Sequence, residues 1–162
     1  MKYNFVLLMT IIIALGCRKN NPLISEPPQL PELPHVVVSQ SNYLPADIQS
    51  RVPDTTYLRK CCSLYMFAVT DSLKRYMADI LIQKAQLLNQ DTLIVSQCLD
   101  ATGQLKTNVM SLLYFAERAK YESKECWIFE FSWGIDSSGI GHYRCFVMDT
   151  SNKDTLLFIT CR

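Results

Sequence analysis

Apolar positions recur at helical spacing through residues 55–89. Leu58, Cys62, Tyr65, Val69, Leu73, Tyr76, Ile80 and Leu87 form one stripe, widened by Cys61, Ala68, Met77 and Leu81. Pro53-Asp54-Thr55 reads as a helix start with Asp54 or Thr55 as cap, and Thr70-Asp71-Ser72 supplies a second cap. The pattern therefore predicts helix over 55–89 with a break near residue 70. Residues 61–69 are apolar apart from Ser63, and a buried strand has the same pattern. Asn89-Gln90-Asp91 is a turn signal, 92–98 reads as a strand, and Asp100-Ala101-Thr102-Gly103 punctuates it. Thr107-Asn108 caps a further helix carrying Val109, Leu112, Leu113, Ala116 and Lys120, the alternative being a strand that partners 92–98.

The end of the chain carries three β-type runs, 126–133, 142–149 and 155–161. They are separated by 134–141 and by Thr150-Ser151-Asn152-Lys153. Short connections predict an antiparallel meander. Helices first and strands last give an α+β class: N-terminal helices packed on one face of a C-terminal antiparallel β-meander, in a single domain over 55–162.

The first 54 residues follow a different pattern. Residues 5–15 form an uncharged apolar run of 11 residues interrupted by Thr10, preceded by Lys2 and followed by Arg18-Lys19. That is a secretory h-region and is too short for a spanning helix, which takes about 20 residues. All seven prolines lie between Pro22 and Pro53, so residues 18–54 read as a tether, about 33 Å root-mean-square if a flexible coil. Within it, His35-Val36-Val37-Val38-Ser39 is β-prone and suited to a sheet edge.

The run ends in Ala14-Leu15-Gly16-Cys17. Gly16 and Cys17 resemble the lipobox of bacterial lipoproteins, with Ala14 and Leu15 in the reverse of the usual order. The resemblance implies cleavage between Gly16 and Cys17, lipidation of Cys17, and hence a signal peptide at 1–16 and a lipidated tether at 17–54. The membrane is then a partner through the lipid on Cys17. Two or three acyl chains, at about 0.8 kcal/mol per buried methylene, anchor a protein where one would not. Arg18-Lys19-Asn20-Asn21 lacks the Asp that marks inner-membrane retention in enteric bacteria. The implied location is the cell envelope, on the outer membrane facing the periplasm.

Charge narrows the partners. The chain has 16 Lys and Arg against 15 Asp and Glu, and only Lys2 falls in residues 1–16. A balanced chain without a basic cluster gives no electrostatic case for nucleic acid. The expected partner is an envelope protein or a small ligand.

Candidate chemistry is sparse. Alternation in 126–133 puts Trp127, Phe129, Phe131 and Trp133 on one face, as core wall or stacking platform. Trp133, at the strand end beside Gly134, is with His142 the candidate ligand surface. Cys61, Cys62, Cys98, Cys126, Cys145 and Cys161 are candidate disulfide cysteines in an exported chain, although Cys61 and Cys62 diverge from each other. Without Cys-x-x-Cys, and with only His35 and His142 as imidazoles, neither a metal site nor a cofactor is expected. Glu130 reads as a solvated or paired charge, and Asp136-Ser137-Ser138-Gly139 as a hairpin loop. No catalytic residue is assigned. The favoured function is a lipid-anchored binding module. Its rivals are a structural envelope lipoprotein and a cysteine-dependent hydrolase or thiol enzyme using His142. In the last case Cys145 points away from His142, and another cysteine has to approach across the sheet.

Overall fold

A computed structural model describes residues 31–65, 69–134 and 142–161. The expectations for Gly16, Cys17 and the 136–139 loop, and the Ala68 position of the helical stripe, lie outside these residues. In chain order the elements are β1 (His35–Tyr43), α1 (Pro45–Gln49), α2 (Thr55–Tyr65), α3 (Asp71–Leu87), α4 (Thr92–Ala101), β2 (Ser111–Tyr121), β3 (Lys124–Trp133), β4 (His142–Asp149) and β5 (Thr155–Thr160). The class is α+β.

One five-stranded sheet runs in the order β1-β2-β3-β4-β5. β1 pairs parallel to β2, and every other pair is antiparallel. The C-terminal meander is thus longer by one strand than the sequence pattern indicated. A strand also precedes all the helices.

Three local expectations are corrected. Residues 92–98 belong to a helix, not a strand. The Asp91 carboxylate accepts the N–H groups of Leu93 and Ile94, at 2.9 and 3.1 Å, and so fixes the first turn. Val95, Cys98 and Leu99 then fall at i, i+3 and i+4 and are buried, which outweighs the β-branched Ile94 and Val95. The helix expected after Thr107-Asn108 is β2, with β1 and β3 as its partners. Residues 111–117 are buried without interruption because both faces of this strand are covered, and two-sided burial erases alternation. The register also slips between Leu113 and Phe115, so Tyr114 is an extra residue that breaks the period of two.

The third correction concerns the tether. Residues 35–54 belong to the folded unit. Val36, Val37 and Val38 lie opposite Ala116, Glu117 and Arg118, as the β-prone run suggested. Pro45 opens α1, where its missing N–H is no loss, and the Leu44 N–H donates to the Asp47 carboxylate at 2.7 Å. Proline density marked an irregular segment, but half-buried Val36 and Val37, packed against the core, and buried Ile48 hold it.

Helices cover both faces of the sheet rather than one. On the first face Trp127, Phe129 and Phe131 meet Ala78, Leu81 and Ala85 of α3 and Val95, Cys98 and Leu99 of α4. The aromatic wall is therefore core, with Trp133 at its margin. On the second face Cys126, Ile128, Cys145 and Val147 pack under Ile48 of α1. Further along that face Leu112, Tyr114 and Phe115 meet Leu58, Cys61 and Cys62 of α2. The helical stripes at 55–65 and 71–87 are those the sequence showed. Thr70 caps the second, accepting the Leu73 N–H at 3.1 Å.

β1 closes one further contact. Glu122 and Ser123, with φ of 48° and 67°, make the tight β2–β3 turn. Their N–H groups donate to the Tyr43 carbonyl and the Asn42 side chain at 2.9 and 2.8 Å. A chain cut before Thr55 loses the β1 ladder, this turn support and the cover over Ile128. It is expected to show no cooperative urea transition by circular dichroism; a transition as sharp as that of the longer chain would return 35–54 to the tether.

Candidate functional site

Two polar constellations sit on opposite faces of the sheet. The first lies where β3, β4 and β5 end together. Antiparallel register places Trp133 opposite His142, and their rings are 5.1 Å apart. The two candidate ligand residues are thus brought together. Left-handed Gly134, with φ of 62°, turns the chain out of the strand immediately after Trp133.

Arg144, two residues on from His142 and so on the same face, lays its guanidinium over the Trp133 ring at 4.3 Å. Its Nη1 donates to the Gln104 side-chain oxygen at 2.9 Å, which ties the site to the turn after α4. The Trp133 indole Nε1 is shielded from solvent and has no hydrogen-bond partner among the described residues. A buried donor without an acceptor costs about 1–3 kcal/mol, so this N–H is primed for an oxygen.

Cys161 completes the cluster from beyond β5. Its Sγ lies 3.5 Å from His142 Nδ1 and accepts the Tyr143 N–H at 2.9 Å. Cys145 faces the other side, as alternation required. The cysteine that approaches His142 across the sheet is Cys161.

The remaining cysteines are dispersed. Cys61 and Cys62 sit side by side on α2, each with its sulfur 3.8 Å from the Ser132 hydroxyl. Cys98 on α4 donates to the Asp149 carbonyl at 3.7 Å. Cys126 and Cys145 share a face, but Cys126 is opposite Asp149 and Cys145 opposite Glu130. That offset is about 13 Å along the strand, beyond the Cα reach of a disulfide. In this structure Cys61, Cys98, Cys126, Cys145 and Cys161 carry free thiols. Burial pushes the Cys61 and Cys126 thiols up to about 12 and raises those of Cys98 and Cys145. These four serve as small apolar side chains.

The second constellation was missed by sequence reasoning. Arg51, in the presumed tether, donates Nε to Glu130 at 2.7 Å and Nη1 to Glu117 at 2.8 Å. The Tyr114 hydroxyl donates to the other Glu130 oxygen at 2.7 Å, and the Tyr43 hydroxyl donates to Glu117 at 3.0 Å. Glu130 is 2% exposed and Glu117 4%, whereas the Arg51 side chain keeps 21%. Two buried carboxylates share one cation. Desolvation raises the Glu130 pKa even though Arg51 opposes it. The Arg51 pKa also rises, because two carboxylates face a guanidinium less deeply buried than they are. Glu130 is the paired charge that its position suggested, with both carboxylate oxygens engaged. The arrangement is a clamp.

Two surface depressions hold less chemistry. One of about 570 Å³ is lined by Lys124, Glu125, Asp149, Thr150, Ser151 and Asn152. Ser151 donates its N–H and hydroxyl to Asp149, holding that carboxyl below its usual range and stapling the β4–β5 turn. The other, about 240 Å³, lies between His35, Val36 and the end of α3. Among the described residues no group of three or more His, Cys, Asp or Glu is placed to hold a metal ion, and no helix is long and apolar enough to cross a membrane. No family model, no curated protein and no solved structure matches the chain.

The clamp gives a signed pH dependence. A raised carboxyl pKa in the folded state contributes stability that is present below the ordinary value, 4.5 here, and is lost as pH rises through the folded pKa. The melting temperature of Glu130→Gln minus that of wild type is therefore expected to increase as pH is raised from about 4 toward neutrality. A constant difference would show that Glu130 titrates as in the unfolded chain. Arg51→Ala leaves both carboxylates uncompensated and is expected to lose about 3–5 kcal/mol at neutral pH in urea titrations.

Proposed function

We propose that this chain is a lipid-anchored cell-envelope protein whose α+β domain binds a small ligand or an envelope partner through the Trp133–His142–Arg144 surface. The observation that carries the reading is the Trp133 indole N–H, which lacks an acceptor while a guanidinium lies against its ring. Donors that converge without acceptors suit a ligand with a carboxylate or carbonyl oxygen. Arg144 keeps guanidinium nitrogens beyond the one given to Gln104, and the guanidinium and the His142 ring packed against the indole are planar groups suited to stacking. An aromatic carboxylate satisfies both demands.

The anchor rests on the lipobox resemblance of Gly16-Cys17 and the short apolar run before it. Cleavage there leaves Cys17 lipidated as the first residue, and the proline-rich residues up to 34 separate the domain from the bilayer. The periplasmic side of the outer membrane is the proposed location. A near-neutral surface gives no role to nucleic acid. A cysteine-dependent enzyme using His142 is the second reading, favoured by the 3.5 Å approach of Cys161.

Each half has its measurement. The membrane-extracted protein is expected to have the mass of residues 17–162 plus acyl chains, and an unacylated mass removes the anchor. Of the two tryptophans Trp127 is 1% exposed, so ligand-dependent emission reports Trp133. Benzoate is expected to change that emission saturably in wild type and not in Arg144→Ala. A linear response identical in both proteins would remove the binding surface.

A further inference from the structure

Cys161 differs from every other cysteine that the structure describes. Cys61, Cys62, Cys98, Cys126 and Cys145 are buried, and Cys161 alone is partly exposed. Two groups converge on its sulfur. The Tyr143 N–H points at Sγ from 2.9 Å, where β5 has ended and the ladder carbonyl is replaced by the side chain. The Cys161 N–H returns to the Tyr143 carbonyl at 3.1 Å, which fixes the thiol's position on the β4 edge. His142 Nδ1 faces the same sulfur at 3.5 Å. A backbone donor fixes this partly exposed sulfur, and an imidazole nitrogen stands close enough to take its proton as it attacks. Around them stand the Tyr143 phenol, whose own ionisation is disfavoured by burial, and the Arg144 guanidinium next in the chain.

We infer that Cys161 and His142 form a reactive thiol–imidazole pair that exchanges with small accessible disulfides, so that the chain carries a mixed disulfide at Cys161. In the exchange the Cys161 proton passes to His142 Nδ1 and the thiolate attacks one sulfur of the incoming disulfide. A new sulfur–sulfur bond forms as the old one breaks. The departing thiolate takes the proton from the imidazole, and the disulfide is the oxidant for the pair of sulfurs. Acyl transfer would also need a donor for a tetrahedral oxyanion. The Tyr143 N–H, 2.9 Å from the sulfur, is already engaged by it and is not free for that oxygen, which favours exchange over hydrolysis. The site shares His142 with the proposed ligand surface, but exchange requires no ligand there.

The test uses the full detergent-extracted chain and the aromatic disulfide 5,5′-dithiobis(2-nitrobenzoate), with labelled cysteines mapped by peptide mass. At pH 6 the folded protein is expected to take one label rapidly, at Cys161. Its rate should be about tenfold or more above that of the same cysteine in the denatured chain. His142→Asn should slow labelling by about tenfold while leaving the melting temperature near that of wild type. A fast label elsewhere, or a Cys161 rate equal in folded and denatured protein, would overturn the inference. Both of these outcomes are read on wild-type protein, so they hold even where a variant fails to fold. An unchanged rate in folded His142→Asn would overturn the pairing. Benzoate is absent throughout, so failure of the ligand reading and failure of this one are separate results.

Discussion

The fold depends on one guanidinium. Arg51 reaches from the irregular segment after α1 onto the second face of the sheet and bridges Glu117 of β2 and Glu130 of β3. Without it, two carboxylates at most 4% exposed would sit unpaired in low dielectric. With it they become the acceptors that hold Arg51, Tyr43 and Tyr114 in place. The segment 44–54 thereby becomes the lid over Ile128, Cys145 and Val147. A five-residue helix such as α1 has no independent stability, and its position derives from Ile48 beneath it and Arg51 beyond it. An apolar arrangement of the same shape could be as stable. What the ion cluster adds is register: only one placement of the lid satisfies both carboxylates.

The same cluster marks the limit of what the sequence made legible. The helical stripes at 55–65 and 71–87 were readable because each helix has one buried face and its period survives. The last three strands, and with them the α+β class, were readable because turn signals bound each β-prone run, although β3 is buried without interruption from Cys126 to Ser132. The failures have distinct physical causes. β2 lost its alternation to burial on both faces and to the extra residue Tyr114. In α4, a ten-residue helix rich in leucine, isoleucine and valine, propensity pointed to strand, while the decisive signal was the side chain of Asp91. The tether was overextended because proline content describes local stiffness and carries no information about the parallel partner some 80 residues later.

The site residues divide in the same way. Trp133 and His142 were placed together by strand alternation and a short connection, which are local properties. Their meeting with Cys161 depends on β5 pairing with β4, and Arg51 with Glu117 and Glu130 on contacts 66 and 79 residues apart. Spacing could show that Cys145 faces away from His142, but not which cysteine would come near. Nothing in a single sequence ranks one lone Arg–Glu combination over the others until the sheet order is known.

Burial sorts the two polar constellations by role. In the clamp every carboxylate oxygen is engaged, and the cation that joins them also seals them from solvent. A group so satisfied stabilises one conformation and has no valence left for a substrate. At the ends of β3, β4 and β5 the accounting is incomplete: an indole N–H lacks an acceptor, a guanidinium has nitrogens beyond its one partner, and a thiol meets an imidazole near the surface. Strand ends permit this, because the backbone ladder stops there and side chains take over its donors, as Cys161 Sγ does for Tyr143. The first constellation holds the sheet and its cover rigid, and that rigidity keeps the second in register while its own groups remain unsaturated. The unsaturated polar groups among the described residues therefore lie at the end of the sheet rather than in its most charged interior.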